Sequence, residues 1–208
     1  MKRASIAPFF IASALALTGC ATSWTVDSDV RSFSQLGALP ADATYRFDRL
    51  PSQQAHEAAQ DALEAMAAPA LAAAGLRRDD SRARYAVQVS ARVTAELSPW
   101  ADPWYGPGWG TGLGYGRGWR GAGIHGGWGW GPAFGPPPDP WYAREVSVLM
   151  RELPSNRVVY ESRARNDGPY GDSRAVLPVM FQAALQGFPS PPAGERRVDI
   201  TLPPRSAA

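Results

Sequence analysis

Cysteine, histidine and lysine are nearly missing from this chain. Cys20 is the single cysteine, so no disulfide can form within the chain and the fold must rest on its hydrophobic core. The two histidines are His56, which lacks the second histidine of the zinc-protease motif, and His125, which has no second strong ligand near it in sequence. We therefore predict no metal site and no cofactor.

A hydrophobic run long enough to span a bilayer is also missing, because a transmembrane helix needs about 20 apolar residues. The apolar run at residues 4–17 follows a short basic start and ends in Leu-Thr-Gly-Cys, which is the order of parts in a secretory signal. Residues 17–20 resemble the lipobox of bacterial lipoproteins. The sequence thus predicts a signal peptide at residues 1–19 and lipid on Cys20, with an ordinary secreted protein as the alternative.

The residue after the cysteine bears on which membrane holds such an anchor. In the lipoproteins that this segment resembles, Asp at that position tends to retain the protein on the inner membrane, whereas this chain has Ala21. The resemblance therefore implies a lipid-anchored protein of the outer membrane that faces the periplasm. The inner membrane stays open as an alternative, because the sequence does not show that the host has two membranes.

An excess of positive charge is absent once the signal peptide is removed. Lys2 and Arg3 leave with it, so 19 of the 21 basic residues remain, against 19 acidic ones. Nucleic-acid binding needs a basic face, so we expect no nucleic-acid partner. The apolar share of 45% suffices for the core of one domain, which we place at residues 20–203, with a tail at residues 204–208.

Residues 98–141 differ in composition from the rest of the chain. Glycine, proline and aromatic residues crowd together there, and seven of the eight tryptophans fall in this stretch. Such a composition does not hold a regular helix or strand at low cost, so it predicts a long loop that divides the domain. Its Trp and Tyr residues are Trp100, Trp104, Tyr105, Trp109, Tyr115, Trp119, Trp128, Trp130 and Trp141.

The flanks of this loop alternate apolar and polar side chains, as half-buried strands do. The longest alternation covers residues 85–97, before the loop. After the loop, two alternating runs flank Pro-Ser-Asn at residues 154–156, which predicts a hairpin. The predicted strands lie at residues 24–30, 45–47, 85–97, 146–150, 158–164 and 198–202.

Helical spacing of apolar residues predicts one helix on each side of the loop. Ser52 is the candidate N-cap of the first, and Gly75 suits a left-handed C-cap. Pro69 inside this pattern is expected to kink or split the helix. In the second helix, Pro178 suits the first turn and Gly187 the end.

Amphipathic strands together with helices that have a single apolar face are typical of an α+β fold. We predict a single antiparallel or mixed sheet of about five to six strands, with two helices packed on one face. The Gly/Trp-rich loop at residues 98–141 interrupts this domain. Asp27, Ser28 and Asp29 have the spacing that opens a calcium loop but lack its glycine and closing glutamate, so we interpret them as a strand edge and turn.

The order of these features resembles a known family. The chain has the lipobox, a Tyr-Arg-Phe strand, a helix that ends in Ala-Ala-Gly-Leu at residues 73–76, an alternating strand, the Gly/Trp-rich loop, a hairpin, and a helix followed by Gly-Phe-Pro at residues 187–189. It resembles the domain of unknown function 4136 family of bacterial lipoproteins, over about residues 25–202. The resemblance implies an envelope location and an α+β domain, with no catalytic residues to transfer.

Catalytic groups are not evident in the sequence. An enzyme needs a nucleophile with a base, a metal cluster or a carboxylate pair on a scaffold, and we find no such set. The glycines at residues 106–118 lack the preceding strand and following helix that a phosphate-binding loop requires. We therefore expect a protein that is not an enzyme.

The loop aromatics are the candidate binding residues. Indole rings suit stacking on sugars, a place at a lipid interface or contact with another protein. The competing interpretation is that the loop folds over the open face of the sheet and buries its own rings. We expect a binding or structural role for an envelope protein or glycan partner, with an apolar or peptidoglycan-like ligand as the alternative. The candidates are Trp100, Trp104, Tyr105, Trp109, Trp119, Trp128 and Trp130.

Overall fold

The fold is a seven-stranded mixed sheet with helices, seen in a computed structural model that describes residues 24–99 and 140–202. Its order is β3-β2-β4-β5-β6-β1-β7; β2 runs parallel to β3 and β4, and every other neighbouring pair is antiparallel. The strands are β1 (Trp24–Ser34), β2 (Thr44–Phe47), β3 (Arg77–Arg78), β4 (Tyr85–Leu97), β5 (Pro140–Glu152), β6 (Arg157–Gly168) and β7 (Glu195–Leu202).

Three helices accompany the described sheet: α1 (Pro51–Gln54), α2 (Glu57–Ala73) and α3 (Ser173–Leu185). The α+β class and a mixed sheet are confirmed. The predicted count of five to six strands and two helices was too low, because β3 has two residues and α1 four, too short to show a period. The interpretation of Asp27, Ser28 and Asp29 as an edge and turn was wrong, since they lie in the middle of β1 between β6 and β7.

The core lies between the sheet and the two longer helices. α3 packs across β1, β5 and β6, while α2 packs against α3 and β4. Val89 and Val148 face each other across β4 and β5 and are fully buried. Val146 and Ala164 extend this buried surface toward β1. The alternation along these strands thus puts one face under the helices and leaves the other open.

Side chains from α1 and α2 replace a missing strand beside β4. The short β2 pairs with β4 only as far as Val87, so the carbonyl of Val89 has no strand neighbour on that side. The amides of Gln53 and Gln60 donate to this carbonyl over 2.8 and 3.3 Å. Nearby, the buried Glu64 accepts from Arg49 over 2.6 Å, which compensates the charge that burial would otherwise leave alone.

The ends of the first helical region differ in part from the prediction. Leu50, not Ser52, occupies the N-cap of α1. The first helical region breaks at His56, whose φ of −127° and ψ of 51° are not helical. α2 then continues through Pro69, because Ala70 and Leu71 in the next turn are buried in the core. Gly75 ends it as expected at φ +87°, and the amide of Leu76 donates back into the last turn of the helix.

The second long helix begins earlier than its sequence pattern indicates. Asp172 is its N-cap and accepts a 3.3 Å hydrogen bond from the amide of Ala175. Pro178 therefore lies inside α3, and its prediction as a first-turn residue was wrong. The helix ends at Leu185, close to Gly187 at φ +81°, as predicted.

Candidate functional site

Residues 100–139 are attached to the domain at one end of the sheet, between β4 and β5. β4 and β5 pair along their whole length, and the last pair is Leu97 with Pro140. Four residues of the predicted loop, Ser98, Pro99, Pro140 and Trp141, belong to the described part. The seven candidate binding residues, Trp100, Trp104, Tyr105, Trp109, Trp119, Trp128 and Trp130, lie outside the described residues, and so does Cys20.

The first described residue of the chain lies at this same end. Trp24 is the first residue of β1 and pairs with Leu202 of β7. Because β1 and β6 are antiparallel, the residues of β1 before Asp29 lie toward Gly168 at the end of β6. Gly168 in turn pairs with Tyr142, two residues after Pro140. We call this the loop end of the sheet. The opposite end carries the β5–β6 turn and the last residues of β1.

The loop end exposes apolar side chains on the face that carries the helices. The helices do not extend over the last residues of β4, so that Val93 and Leu97 are 43% and 71% exposed although they share the face of the buried Val89. Tyr170, just after β6, is 49% exposed and packs against Trp24 with ring centroids 4.6 Å apart. Apolar surface of this kind marks a contact surface when it is contiguous.

Arg144 holds the aromatic part of this end in place. It is 2% exposed, on the helix-facing side of β5. Its guanidinium donates to the hydroxyl of Ser173 over 3.0 Å, to the side-chain oxygen of Asn166 over 3.4 Å, and to the carbonyl of Tyr170. These bonds tie the segment before α3 to the sheet and so fix where Tyr170 lies.

Burial sets the electrostatics of this arginine. Loss of hydration lowers the pKa of Arg144, while attraction from Tyr142 and Asp172 opposes that shift. The guanidinium lies 5.2 Å from the centre of the Tyr142 ring, which gives it a cation–π contact as well. Its contacts are neutral acceptors and ring faces, which is a structural arrangement and not that of a catalytic acid or base.

The open face of the sheet carries an exposed depression of about 520 Å³ at the loop end. Trp141 lies at its edge and donates through Nε1 to Asp167 over 2.8 Å. Beside it, Arg165 and Glu145 form an ion pair of 2.7 Å, which raises the pKa of Arg165. The lining therefore combines an indole ring with polar and charged groups. The other lining residues are Arg92, Thr94, Glu96, Pro99, Ala143, Arg144 and Asn166.

Sequence reasoning missed Arg144 and Tyr170. Arg144 lies on the same face of β5 as Val146 and Val148, because side chains alternate along a strand. An arginine at a position where the pattern predicts a buried side chain was the sign in the sequence that could have identified it. Tyr170 follows the strand and shows no period. In residues 24–99 and 140–202, no cluster of three or more His, Cys, Asp or Glu side chains is placed to hold a metal ion. Among the helices of that part, none has the length and apolar character needed to cross a membrane.

Comparison with known proteins identifies the family of the chain. Residues 29–190 match the domain of unknown function family DUF4136. The chain belongs to this family. The match begins inside β1 and ends before β7, so it includes every other helix and strand of the described part. It confirms the resemblance found in the sequence. No curated protein matches the chain.

Solved structures with a similar backbone are distant in sequence. Two structures of the PelC dodecamer from Paraburkholderia phytofirmans are 14% identical, with TM-scores of 0.43 and 0.42; they cover 76% and 79% of this chain and 94% and 99% of their own. A PDZ domain protein from Parabacteroides distasonis is 12% identical, with a TM-score of 0.47, and the match covers 92% of this chain and 42% of that protein. These likenesses transfer no function to this chain.

Proposed function

We propose that the protein is a bacterial envelope lipoprotein with a non-enzymatic binding or structural role. Lipid on Cys20 anchors it to the outer membrane on the periplasmic side. The aromatic residues of the loop at residues 98–141 form its contact surface for another envelope component. The observation that carries the proposal is that the anchor segment and the loop leave the domain at the same end of the sheet.

The distances support a shared location for anchor and loop. Cys20 lies four residues before Trp24, and an extended chain of that length reaches at most about 14 Å. Neighbouring strands lie about 4.8 Å apart, so β5 and β4 stand roughly 10 and 14 Å from β1 in the sheet. The loop is therefore attached within about 30 Å of the lipidated residue, so it lies close to the membrane.

The chemistry of the loop supports contact and not catalysis. Indole side chains give large contact areas with a single hydrogen-bond donor, and a few such residues usually supply most of the energy of an interface. Trp141 illustrates this in the described part, since its ring lies at the edge of the open depression while Nε1 is held by Asp167.

The anchor is tested by replacing Cys20 with Ser. We expect the natural chain to be cleaved before Cys20, to carry acyl groups by mass spectrometry and to partition into detergent. The Cys20→Ser chain should lack the modification and the cleavage. The anchor is disproved if this variant is cleaved at the same bond and still partitions with the membrane.

The contact surface is tested with Trp104→Ala, Trp109→Ala and Trp128→Ala combined in one chain. We expect loss of site-specific crosslinks to envelope partners, with an unchanged melting temperature. Phe33→Ala, at the far end of the sheet, is the matched control. Retained crosslinks in the triple variant would exclude the loop as the contact surface.

A glycan ligand is the second candidate, and the depression beside Trp141 favours it. Sugar-binding sites pair an aromatic face with side-chain acceptors and donors, and Trp141, Asp167 and Thr94 supply both at one place. Sedimentation with purified peptidoglycan separates the two candidates. Suppose that Trp141→Ala lowers the amount of protein that sediments with peptidoglycan but leaves the crosslinks to envelope partners as they are in the natural chain. The glycan role is then the correct one.

A further inference from the structure

We propose that the loop end of the sheet rests on the lipid bilayer, with Leu97 and Tyr170 at the boundary between headgroups and acyl chains. This inference rests on the proposed lipid anchor and adds a second partner surface, the membrane itself. It concerns residues of the folded domain, independently of the loop, and it gives the domain a defined orientation.

The apolar surface at this end is placed where a membrane would meet it. Leu97 has the largest exposed fraction of the large hydrophobic side chains in the described part, at 71%. Val93 lies four residues before it on the same face, and Tyr170 is exposed beside Trp24. Exposed leucine and valine flanked by tyrosine and tryptophan have the composition of side chains at a bilayer interface, where rings with one polar group are favoured.

The short connection to Cys20 restricts which end can reach the lipid. Four residues allow at most about 14 Å between the acylated cysteine and Trp24, so the loop end stays near the bilayer in every orientation. β4 has 13 residues, which corresponds to a length of about 43 Å at 3.3 Å per residue. The opposite end cannot reach the surface while the loop end remains attached, unless the sheet lies flat.

The opposite end has the character of a solvated surface. The turn between β5 and β6 is polar, and Arg157 pairs there with Glu152 over 3.1 Å. Phe33, the exposed aromatic residue of that region, lies under the guanidinium of Arg31 at 5.3 Å from the ring centre. Charge placed this way favours water over a bilayer, so the sheet is expected to stand with its loop end toward the membrane.

The single cysteine of the sequence makes this orientation measurable. In the lipidated chain the sulfur of Cys20 is used in a thioether, so a cysteine introduced elsewhere is the only free thiol. Leu97→Cys places a nitroxide or fluorescent probe at the proposed contact, and Tyr170→Cys is a second probe should the first disturb folding. Val158→Cys, whose side chain is 39% exposed near the opposite end, is the matched control.

The measurement compares these probes in the lipidated protein bound to vesicles of phosphatidylethanolamine and phosphatidylglycerol. We expect a water-soluble quencher to reach the Leu97 probe several-fold less than the Val158 probe, because a polar quencher is excluded from the apolar side of the bilayer interface. In the mature chain with Cys20→Ser, free in buffer, the Leu97 probe should be at least as accessible as the Val158 probe, because Leu97 is the more exposed of the two side chains. Equal accessibility on vesicles would overturn the proposal.

Two further outcomes identify which idea is wrong. If the Leu97 probe is shielded equally in buffer and on vesicles, the chain itself covers that surface and the membrane contact is disproved while the anchor stands. If the protein carries no acyl group and does not float with vesicles, the anchor fails, and the membrane contact fails with it.

Discussion

The hydroxyl of Tyr160 donates a 2.9 Å hydrogen bond to the carbonyl oxygen of Ala184, which joins β6 to the last turn of α3. Ser162 donates to the same carbonyl over 2.6 Å. Both donors are fully buried, so this carbonyl at the C-terminal end of the helix is satisfied by side chains of the sheet. The relationship fixes the register of α3 on the sheet and makes the stability of the domain sensitive to alkaline pH.

Tyr160→Phe should reduce the loss of stability at alkaline pH. Burial raises the pKa of Tyr160 above its ordinary value of 10.0, so the folded chain retains the proton after the unfolded chain has lost it. The corresponding stability is present below pH 10.0 and is lost as pH rises toward the raised pKa of the folded state. We expect the variant to lose about 1 kcal/mol at neutral pH, from the missing hydrogen bond, and to show a flatter decline above about pH 10.

Urea unfolding at several alkaline pH values checks this. Tyr45 also has a pKa raised by burial, so the slope should become smaller and not vanish. A decline as steep as that of the natural chain would contradict the assignment to Tyr160.

Val89→Asp and Ser90→Asp should differ strongly, because the two residues lie on opposite faces of β4. Val89 is fully buried, and an unpaired carboxylate there costs several kcal/mol, which is comparable with the whole stability of a domain of about 5 to 15 kcal/mol. Ser90 faces the open side and shares a 2.7 Å hydrogen bond with Ser147, so its replacement should cost about 1 kcal/mol. Thermal melting of both variants checks this. Equal falls in melting temperature would contradict the placement of Val89 and Ser90 on opposite faces of β4.

Arg144→Gln should destabilise the domain by roughly 2–4 kcal/mol, because the acceptors at Tyr170, Ser173 and Asn166 lose a buried donor. Arg165→Gln is the control: it removes an exposed ion pair at the same end of the sheet and should have little effect. Chemical unfolding gives both values. A small effect of Arg144→Gln would mean that the segment before α3 is held without this arginine.

Replacement of residues 100–139 with a short Gly/Ser linker should leave a domain that melts cooperatively. The ladder between β4 and β5 ends with Leu97 opposite Pro140, so the linker has only to close a hairpin. Loop closure depends weakly on length, by about 0.6 kcal/mol per halving. Calorimetry and size-exclusion chromatography check the result. Aggregation of the shortened chain would instead support a loop that covers the sheet.

Local periodicity was enough to predict the elements that have one exposed and one buried face. The strand at Tyr85–Leu97 was predicted with its correct bounds because thirteen residues alternate. Gly75 was identified because only a left-handed conformation explains a glycine between the helix and a buried Leu76. The hairpin around residues 154–156 followed from its turn residues in the same way.

Features that depend on distant partners were not predictable in this way. Ser32 is buried in β1 and interrupts the apolar pattern, so this strand was recognised only as far as Val30. The N-cap of α3 at Asp172 was missed because Pro178 is commoner in a first turn than inside a helix. At the loop end, the position of Arg144 is visible in the sequence, but its acceptors come from three other segments and depend on the sheet order.

The placement of β1 has a consequence for the time at which the protein can fold. Asp29 pairs with Arg165 on one side and with Arg197 on the other, so the first described strand to leave the ribosome finds both neighbours only among the last ones. The sheet therefore cannot close during synthesis, and β1 must remain unpaired until the chain is nearly complete. Such long-range pairing makes folding slow and leaves strand edges open to wrong partners in the meantime. Chaperones that bind the unfolded chain should therefore raise the yield of this protein more than they raise the yield of a domain built from local hairpins.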